Sequence, residues 1–132
     1  ACTLVLVAAA DGTLVREEMA AIESAMGAML LHPESREEVR QLLTSPPDLQ
    51  SILDGMEMAA IRLALRDGAL VASVDGDYDE KELEILQQIA DAGELTEKEL
   101  SMILDWVSEN WKLGAKGRSF IATQMPGDES IL

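Results

Sequence analysis

Residues 96–111 read TEKELSMILDWVSENW, and the apolar side chains in this stretch recur at helical spacing. They fall at positions i, i+3, i+4, i+7 and i+11, namely Leu100, Ile103, Leu104, Val107 and Trp111. Such spacing places them in one stripe along a helix. Thr96 stands three residues before Glu99, which is the spacing of a capping box at a helix start. The segment therefore predicts a capped helix with one buried face.

The same spacing recurs along most of the chain, and no stretch shows the sustained alternation of a strand. We expect helices at about residues 1–10, 15–30, 35–44, 48–74, 79–91 and 96–112. Pairs of a capping residue and a glutamate, Ser35 with Glu38 and Asp79 with Glu82, predict two of the helix starts. Glycine after Ala92 predicts a helix end in the left-handed conformation.

These elements predict an all-α fold, a single-domain bundle of about six to seven helices. The domain is expected over residues 1–116, followed by a C-terminal tail at 117–132 with a short helix around 118–124. The stripes should bury most of the seven methionines, and both tryptophans should anchor the last main helix. His32, which precedes a proline, is expected in an exposed loop.

Charge and residue inventory exclude several classes of function. The 132 residues include 10 basic and 25 acidic side chains, giving a net charge of −15. That charge repels phosphate backbones and anionic lipid, so nucleic-acid binding is excluded as a main role. One cysteine and one histidine cannot form a disulfide or a Cys/His zinc site, and we expect a cytoplasmic protein. The longest apolar run is too short to cross a bilayer, so no direct membrane insertion is expected.

An internal repeat divides the chain into two similar halves, at about residues 1–45 and 48–112. Residues 7–19, VAAADGTLVREEM, align with residues 71–83, VASVDGDYDEKEL. Valine, alanine, aspartate, glycine and glutamate recur in place, and the apolar stripes that follow stay in phase. Because each half is too small for a core of its own, we expect the halves to pack about a pseudo-twofold axis.

Carboxylates recur at the corner between helices in both halves. An aspartate ends one helix, and a glutamate seven residues later lies in the first turn of the next. The candidate metal ligands are Asp11, Glu18, Asp75 and Glu82, with Asp77 and Asp79 as further oxygen donors in the second half. Hard divalent cations, Ca²⁺ or Mg²⁺, prefer such all-oxygen ligands, although the spacing does not fit an EF-hand. The alternative is that these acids are helix caps and solvated surface charge.

The two corners, Ala10-Asp11-Gly12-x5-Glu18 and Val74-Asp75-Gly76-x5-Glu82, resemble the tellurite-resistance TerB family and its TerB-like relatives. The resemblance extends to about Lys116. It implies an all-helical domain of two similar halves with an acidic site for a divalent cation. It also implies association with tellurite and chemical-stress resistance, often beside membrane-linked partners, and a related module occurs in membrane-anchored DnaJ-type co-chaperones.

Carried over by position, the resemblance assigns the first four candidate acids as the ligands. Val15 stands where the second half has Asp79, so the first half departs from the pattern, and we expect the site to be stronger on the Asp75 side.

Three classes of function follow from these observations. The leading hypothesis is a non-enzymatic, TerB-like domain that binds a divalent cation and acts through protein partners. The rival is a metal-free acidic interaction module, a co-chaperone-like scaffold for a basic partner, in which Arg62 and Arg66 neutralise the carboxylates internally. An exposed apolar patch with no convergent carboxylates would favour this rival. A carboxylate-based metal-dependent hydrolase is a third class, for which the sequence shows no pocket signature.

Overall fold

The computed structural model describes residues 7, 16–42, 45, 47–73, 78–125 and 127–131, with backbone only at 17, 18, 130 and 131. These residues form helices and no strands, so the prediction of an all-α fold is confirmed. The helices are α1 (Arg16–Ala28), α2 (Pro33–Leu42), α3 (Leu49–Asp54), α4 (Met58–Ala72), α5 (Glu80–Ala92), α6 (Glu97–Phe120) and α7 (Asp128–Ile131). The helix expected at about 1–10 lies outside the described residues, apart from Val7, which is helical.

Helix α4 is the central element, because α1, α5 and α6 all pack against it. Its face toward α5 and α6 joins the larger core cluster, whose fully buried members include Leu65, Leu86 and Ile89. A Cβ at Gly68 would be in ordinary contact with Leu86 on α5, at 3.5 Å, but would lie only 3.2 Å from a methyl group of Val7, so glycine relieves crowding against Val7. The apolar stripe of residues 100–111 packs in this cluster as the sequence predicts.

A smaller core cluster joins α1 and α2 to the far side of α4. It consists of Ile22, Met26, Val39 and Val71. At its edge the Arg40 guanidinium on α2 binds both carboxylate oxygens of Glu23 on α1, at 2.6 and 3.0 Å. The pKa of Glu23 is lowered, chiefly by this hydrogen bond, so the pair holds the two helices together while both groups are charged.

The predicted helix starts at Asp79 and Thr96 are confirmed as capping boxes, but the start at Ser35 is wrong. Helix α2 begins at Pro33, which suits the first helical position because proline has no N–H to satisfy there. The side chain of His32 acts as the cap, since its Nδ1 accepts the N–H of Glu34 at 3.3 Å. His32 is exposed as expected, with this added capping role.

The single long helix predicted over 48–74 is two helices, α3 and α4. Asp48 caps α3 by accepting the N–H of Ser51 at 3.0 Å. The helix ends at Asp54, and Gly55 donates back to the carbonyl of Ile52 at 3.2 Å. The chain resumes its helix at Met58, after Glu57 in an extended conformation. The sequence does not reveal this break, because good helix formers lie on both sides of it and helix propensity alone does not resolve a turn of three residues.

Helix α6 continues eight residues beyond its expected end at about 112, into the segment expected as a C-terminal tail at 117–132. It runs through Gly114 and Gly117 to Phe120, and α7 then folds back against it. Arg118 donates from Nε to Asp128 at 2.7 Å, and Asp128 also accepts the N–H of Met125 at 2.9 Å. Asp128 is only 2% exposed, so the last segment is fastened to α6 by an ion pair whose carboxylate is buried. None of the described helices combines the length and apolar character that crossing a membrane requires.

The Arg118–Asp128 pair predicts an acid-dependent loss of stability. The guanidinium holds the pKa of Asp128 at about 2, below its ordinary value of 3.8. Because the folded pKa is the lower one, the contribution is complete above about pH 4 and is lost as the pH falls through about 2. We expect Asp128→Asn to lower Tm at pH 5, with a deficit that shrinks steadily between pH 4 and pH 2. A deficit of constant size over this range in thermal unfolding would contradict the assignment.

Helix α5 ends at Ala92 as predicted, but Gly93 is not the left-handed residue. Gly93 has φ −80°, and Glu94 takes φ 55°. A side chain in that conformation costs roughly 1 kcal/mol relative to glycine. We expect Glu94→Gly to raise the free energy of unfolding by about 0.5–1 kcal/mol, or Tm by roughly 2–4 °C. Glu94→Ala removes the same charge but keeps Cβ, and an equal gain in that control would show that charge, not backbone conformation, is responsible.

Candidate functional site

Two of the predicted metal ligands are described, and both serve as caps of α5. The Asp79 side chain accepts the N–H of Lys81 at 2.8 Å, and Glu82 Oε2 accepts the N–H of Asp79 at 2.8 Å. Asp11, Asp75 and Asp77 lie outside the described residues, as does the side chain of Glu18. Within the described part of the chain, no three His, Cys, Asp or Glu side chains come together as a metal site.

Buried polar contacts hold the chain on both sides of residues 74–77. Trp111 on α6 donates from Nε1 to Ser73 Oγ at 2.7 Å, and the Tyr78 hydroxyl donates to the carbonyl of Ala69 at 3.3 Å. Burial raises the pKa of Tyr78, and the nearby charge of Glu82 acts in the same direction. Glu82 itself is only 5% exposed. Ser73 and Tyr78, which precede and follow the segment carrying Asp75 and Asp77 in the sequence, are therefore held by hydrogen bonds, and Glu82 is a buried carboxylate.

A second candidate site is an exposed apolar face formed by α1, α4 and α6. We define this apolar face by Met29, Leu63, Met102 and Trp106, whose exposed fractions are 40, 48, 60 and 45%. Trp106 therefore does not anchor α6 in the core, and only Trp111 does so. The prediction that most methionines fill the core is also wrong, since Met26 is the only fully buried one. Large apolar side chains exposed side by side are a common mark of interaction surfaces.

Two grooves cross this apolar face. The first groove, of about 400 Å³, lies between α4 and α6 and is lined by Arg66, Glu99, Met102, Ile103 and Trp106. The second groove, of about 500 Å³, lies between α1, α4 and α6. Its α1 wall carries the small side chains of Ala21, Ala25 and Ala28, and its floor includes Leu70 and Trp111. Arg66 lines both grooves, so they adjoin one another.

Charges around the grooves divide into paired and free groups. Arg66 contacts the Asp67 carboxylate at 2.6 Å, and Arg62 donates to the carbonyl of Gly93 at 2.9 Å. These arginines are thus engaged locally, and the expectation that both neutralise the predicted acidic cluster is not met among the described residues. The Glu99 carboxylate accepts the backbone N–H of Thr96 at 2.8 Å. Its hydrogen bonds with Thr96 lower the pKa of Glu99 and keep it ionised. Glu109, one turn beyond Trp106, is exposed and has no ion pair within the described chain.

Comparisons with known proteins give no match: no family model fits the chain, and neither a curated protein nor a solved structure matches it. The TerB-like resemblance therefore rests on the duplicated Asp-Gly corners alone. The residues of the apolar face are those that the sequence reasoning missed. One signal was present, because Trp106 falls outside the stripe that Leu100, Val107 and Trp111 occupy.

Proposed function

We propose that this protein is a non-enzymatic helical module that binds a protein partner through the apolar face. The observation that carries the proposal is the exposure of Trp106, Met102 and Leu63 beside two adjoining grooves. Tryptophan is enriched among the residues that dominate binding energy, and methionine adapts to partners of different shape. Leaving these side chains exposed costs stability that burial in the core would have supplied.

The charged groups that line the grooves support binding rather than catalysis. Arg66 and Asp67 pair with each other, and Glu99 is engaged with Thr96. Each is therefore occupied by a structural contact and is not positioned as a free acid or base. We propose a cytoplasmic location as well, on the basis of the single cysteine and the absence of any disulfide requirement in the sequence.

The proposal is tested by comparing the partners captured by three forms of the full chain. We expect the wild type and Phe120→Ala to retain the same proteins from an extract of the source cells, and Trp106→Ala to lose one or more of them. Phe120 is a suitable control because it lies on the same helix, is 75% exposed and lines neither groove. An identified protein that is lost is then purified and its affinity measured directly. Identical sets of proteins on all three forms would contradict the proposal.

A second candidate function is divalent-cation binding of the TerB-like kind at the corner of the second half, with a role in tellurite or chemical-stress resistance. It is favoured by the buried carboxylate of Glu82, which follows Asp77 by five residues and Asp75 by seven in the sequence. A carboxylate removed from water is stabilised by a nearby cation, and the duplicated motif would supply further oxygen ligands. The two functions are compatible, since the candidate ligands and the residues that define the apolar face are different.

Cation binding predicts a selective thermal shift. At about 100 times its dissociation constant, Ca²⁺ or Mg²⁺ should stabilise the chelator-treated protein by roughly 2.7 kcal/mol, or on the order of 8–13 °C in Tm. We expect the shift to disappear in Asp11→Asn/Asp75→Asn and to persist in Glu80→Gln/Glu84→Gln, which removes the same amount of charge. Ionic strength is matched throughout, because any salt relieves self-repulsion. Equal shifts for every ion in both variants would contradict this second function.

A further inference from the structure

We infer that the occupant of the apolar face is an amphipathic helix of a partner protein that carries lysine or arginine beside its apolar stripe. This inference rests on the proposed function and names the chemistry of the partner. It follows from three features of the face, which are the length and direction of the grooves, the sizes of the side chains on their walls, and the sign of the surrounding charge.

The grooves suit a helix because they follow one another along α6. Met102 and Trp106 line the first groove, and Asn110 and Trp111 line the second. Positions 102 and 110 are about 12 Å apart at the helical rise of 1.5 Å per residue. Apolar side chains at i, i+3 or i+4 and i+7 of a partner helix cover a similar length, which is the usual anchor pattern of a helix bound in a groove.

The walls of the second groove favour close approach by a helix. Ala21, Ala25 and Ala28 present small side chains from α1, and Leu63 and Leu70 present larger ones from α4. A groove with one small-residue wall accepts the ridge of a neighbouring helix, as in helix packing within protein cores. The exposed indole of Trp106 lines the adjoining first groove, and its burial by a partner should contribute strongly to affinity.

The sign of the charge around the apolar face determines which charged residues the partner helix carries beside its apolar stripe. Arg66 pairs with Asp67, and the carboxylates of Glu99, which Arg62 attracts, and Glu109 lie along the Trp106 side of the face. Over residues 97–111, the part of α6 that lines the grooves, the helix carries four acidic residues and one lysine, whereas its other basic residues, Lys112, Lys116 and Arg118, line neither groove. Together with the net charge of −15, these carboxylates attract a basic helix and repel an acidic one.

Two other occupants are disfavoured by the same charge. A second copy of this chain would bring together two surfaces of net charge −15. An anionic lipid surface would repel the face in the same way. Both are nevertheless measurable outcomes of the experiment that follows.

The experiment measures the affinity of the full chain for two 18-residue peptides by isothermal titration calorimetry. Both peptides place leucine at i, i+3, i+4 and i+7, and the polar positions are lysine in one and glutamate in the other. We expect the lysine peptide to bind at least ten times more tightly than the glutamate peptide. We also expect Trp106→Ala to weaken the lysine peptide by a factor of ten or more, and added salt to weaken it further.

Two double variants that remove the same amount of charge then show which carboxylates attract the lysine peptide. Glu99→Gln/Glu109→Gln should weaken the lysine peptide about three- to ten-fold, and Glu80→Gln/Glu84→Gln on α5 should leave its affinity unchanged. Glutamine at position 99 can still complete the capping box with Thr96, so α6 should remain folded. Equal effects of both charge variants would show general attraction to an acidic protein and would overturn the inference.

The remaining outcomes separate this inference from the proposed function. Equal affinity for both peptides, lost in Trp106→Ala, would overturn the basic partner and leave protein binding at the apolar face intact. A Trp106-dependent dimer in sedimentation, or Trp106-dependent binding to phosphatidylserine vesicles, would also overturn it in favour of those occupants. Binding of neither peptide, together with identical captured proteins for wild type and Trp106→Ala, would overturn both.

Discussion

Trp111→Ala should lower the free energy of unfolding by about 2–3 kcal/mol, whereas Trp106→Ala should lower it by less than about 1 kcal/mol. The two residues lie on the same helix, but Trp111 packs against the main core and donates to Ser73 Oγ at 2.7 Å. Trp106 is 45% exposed beside the first groove. Urea unfolding followed by far-ultraviolet circular dichroism measures both values without relying on tryptophan emission.

Trp111→Phe separates the two contributions of Trp111. It keeps an aromatic ring in the core and removes the hydrogen bond to Ser73, so we expect a loss of about 1 kcal/mol. If Trp106→Ala were as destabilising as Trp111→Ala, Trp106 would be a structural residue. Its exposure would then no longer support the apolar face as a binding surface. Similar small losses for both alanine variants would show instead that the Trp111–Ser73 contact contributes little.

Leu86→Ala should cost about 3 kcal/mol, the largest loss that we predict for an aliphatic side chain in this protein. Leu86 is completely buried between α5 and α4, with a methyl group facing Gly68. The truncation leaves a cavity that the two packed helices cannot close without moving. Thermal or denaturant unfolding gives the value directly, with an expected decrease in Tm on the order of 10 °C.

Leu83→Ala provides the matched control on the same helix. Leu83 is 37% exposed, so we expect a loss below about 1 kcal/mol. Comparable losses for the two variants would mean that α5 does not pack on α4 through the face described here. The sequence stripe alone does not distinguish the two leucines, because both fit its helical spacing.

Much of the fold could be predicted from the sequence, because caps and stripes are local signals. Asp79 and Thr96 each begin a helix in a capping box as expected, and the stripe from Leu100 to Trp111 is in the core. Predictions that needed tertiary information failed. The extension of α6 through Gly117 depends on α7, which Arg118 and Asp128 attach to it.

The two candidate sites also differ in how much of each could be predicted from local sequence signals. The apolar face was not predicted, because its residues come from three helices whose packing no local pattern reveals. Its one local signal is the position of Trp106 outside the stripe. Of the predicted acidic site, the structure describes Asp79 and Glu82 as capping residues, a role that the sequence spacing also indicated. The convergence of the other acids stays a prediction.

The most direct test of the apolar face is the emission of Trp106 in the Trp111→Phe variant, which leaves it as the only tryptophan. Burial of an exposed indole shifts its emission to shorter wavelength and shields it from a soluble quencher. We predict that the lysine peptide causes both changes, saturating at the affinity found by calorimetry for the same variant. Emission and quenching that remain unchanged while the peptide binds would place the partner elsewhere and contradict the account.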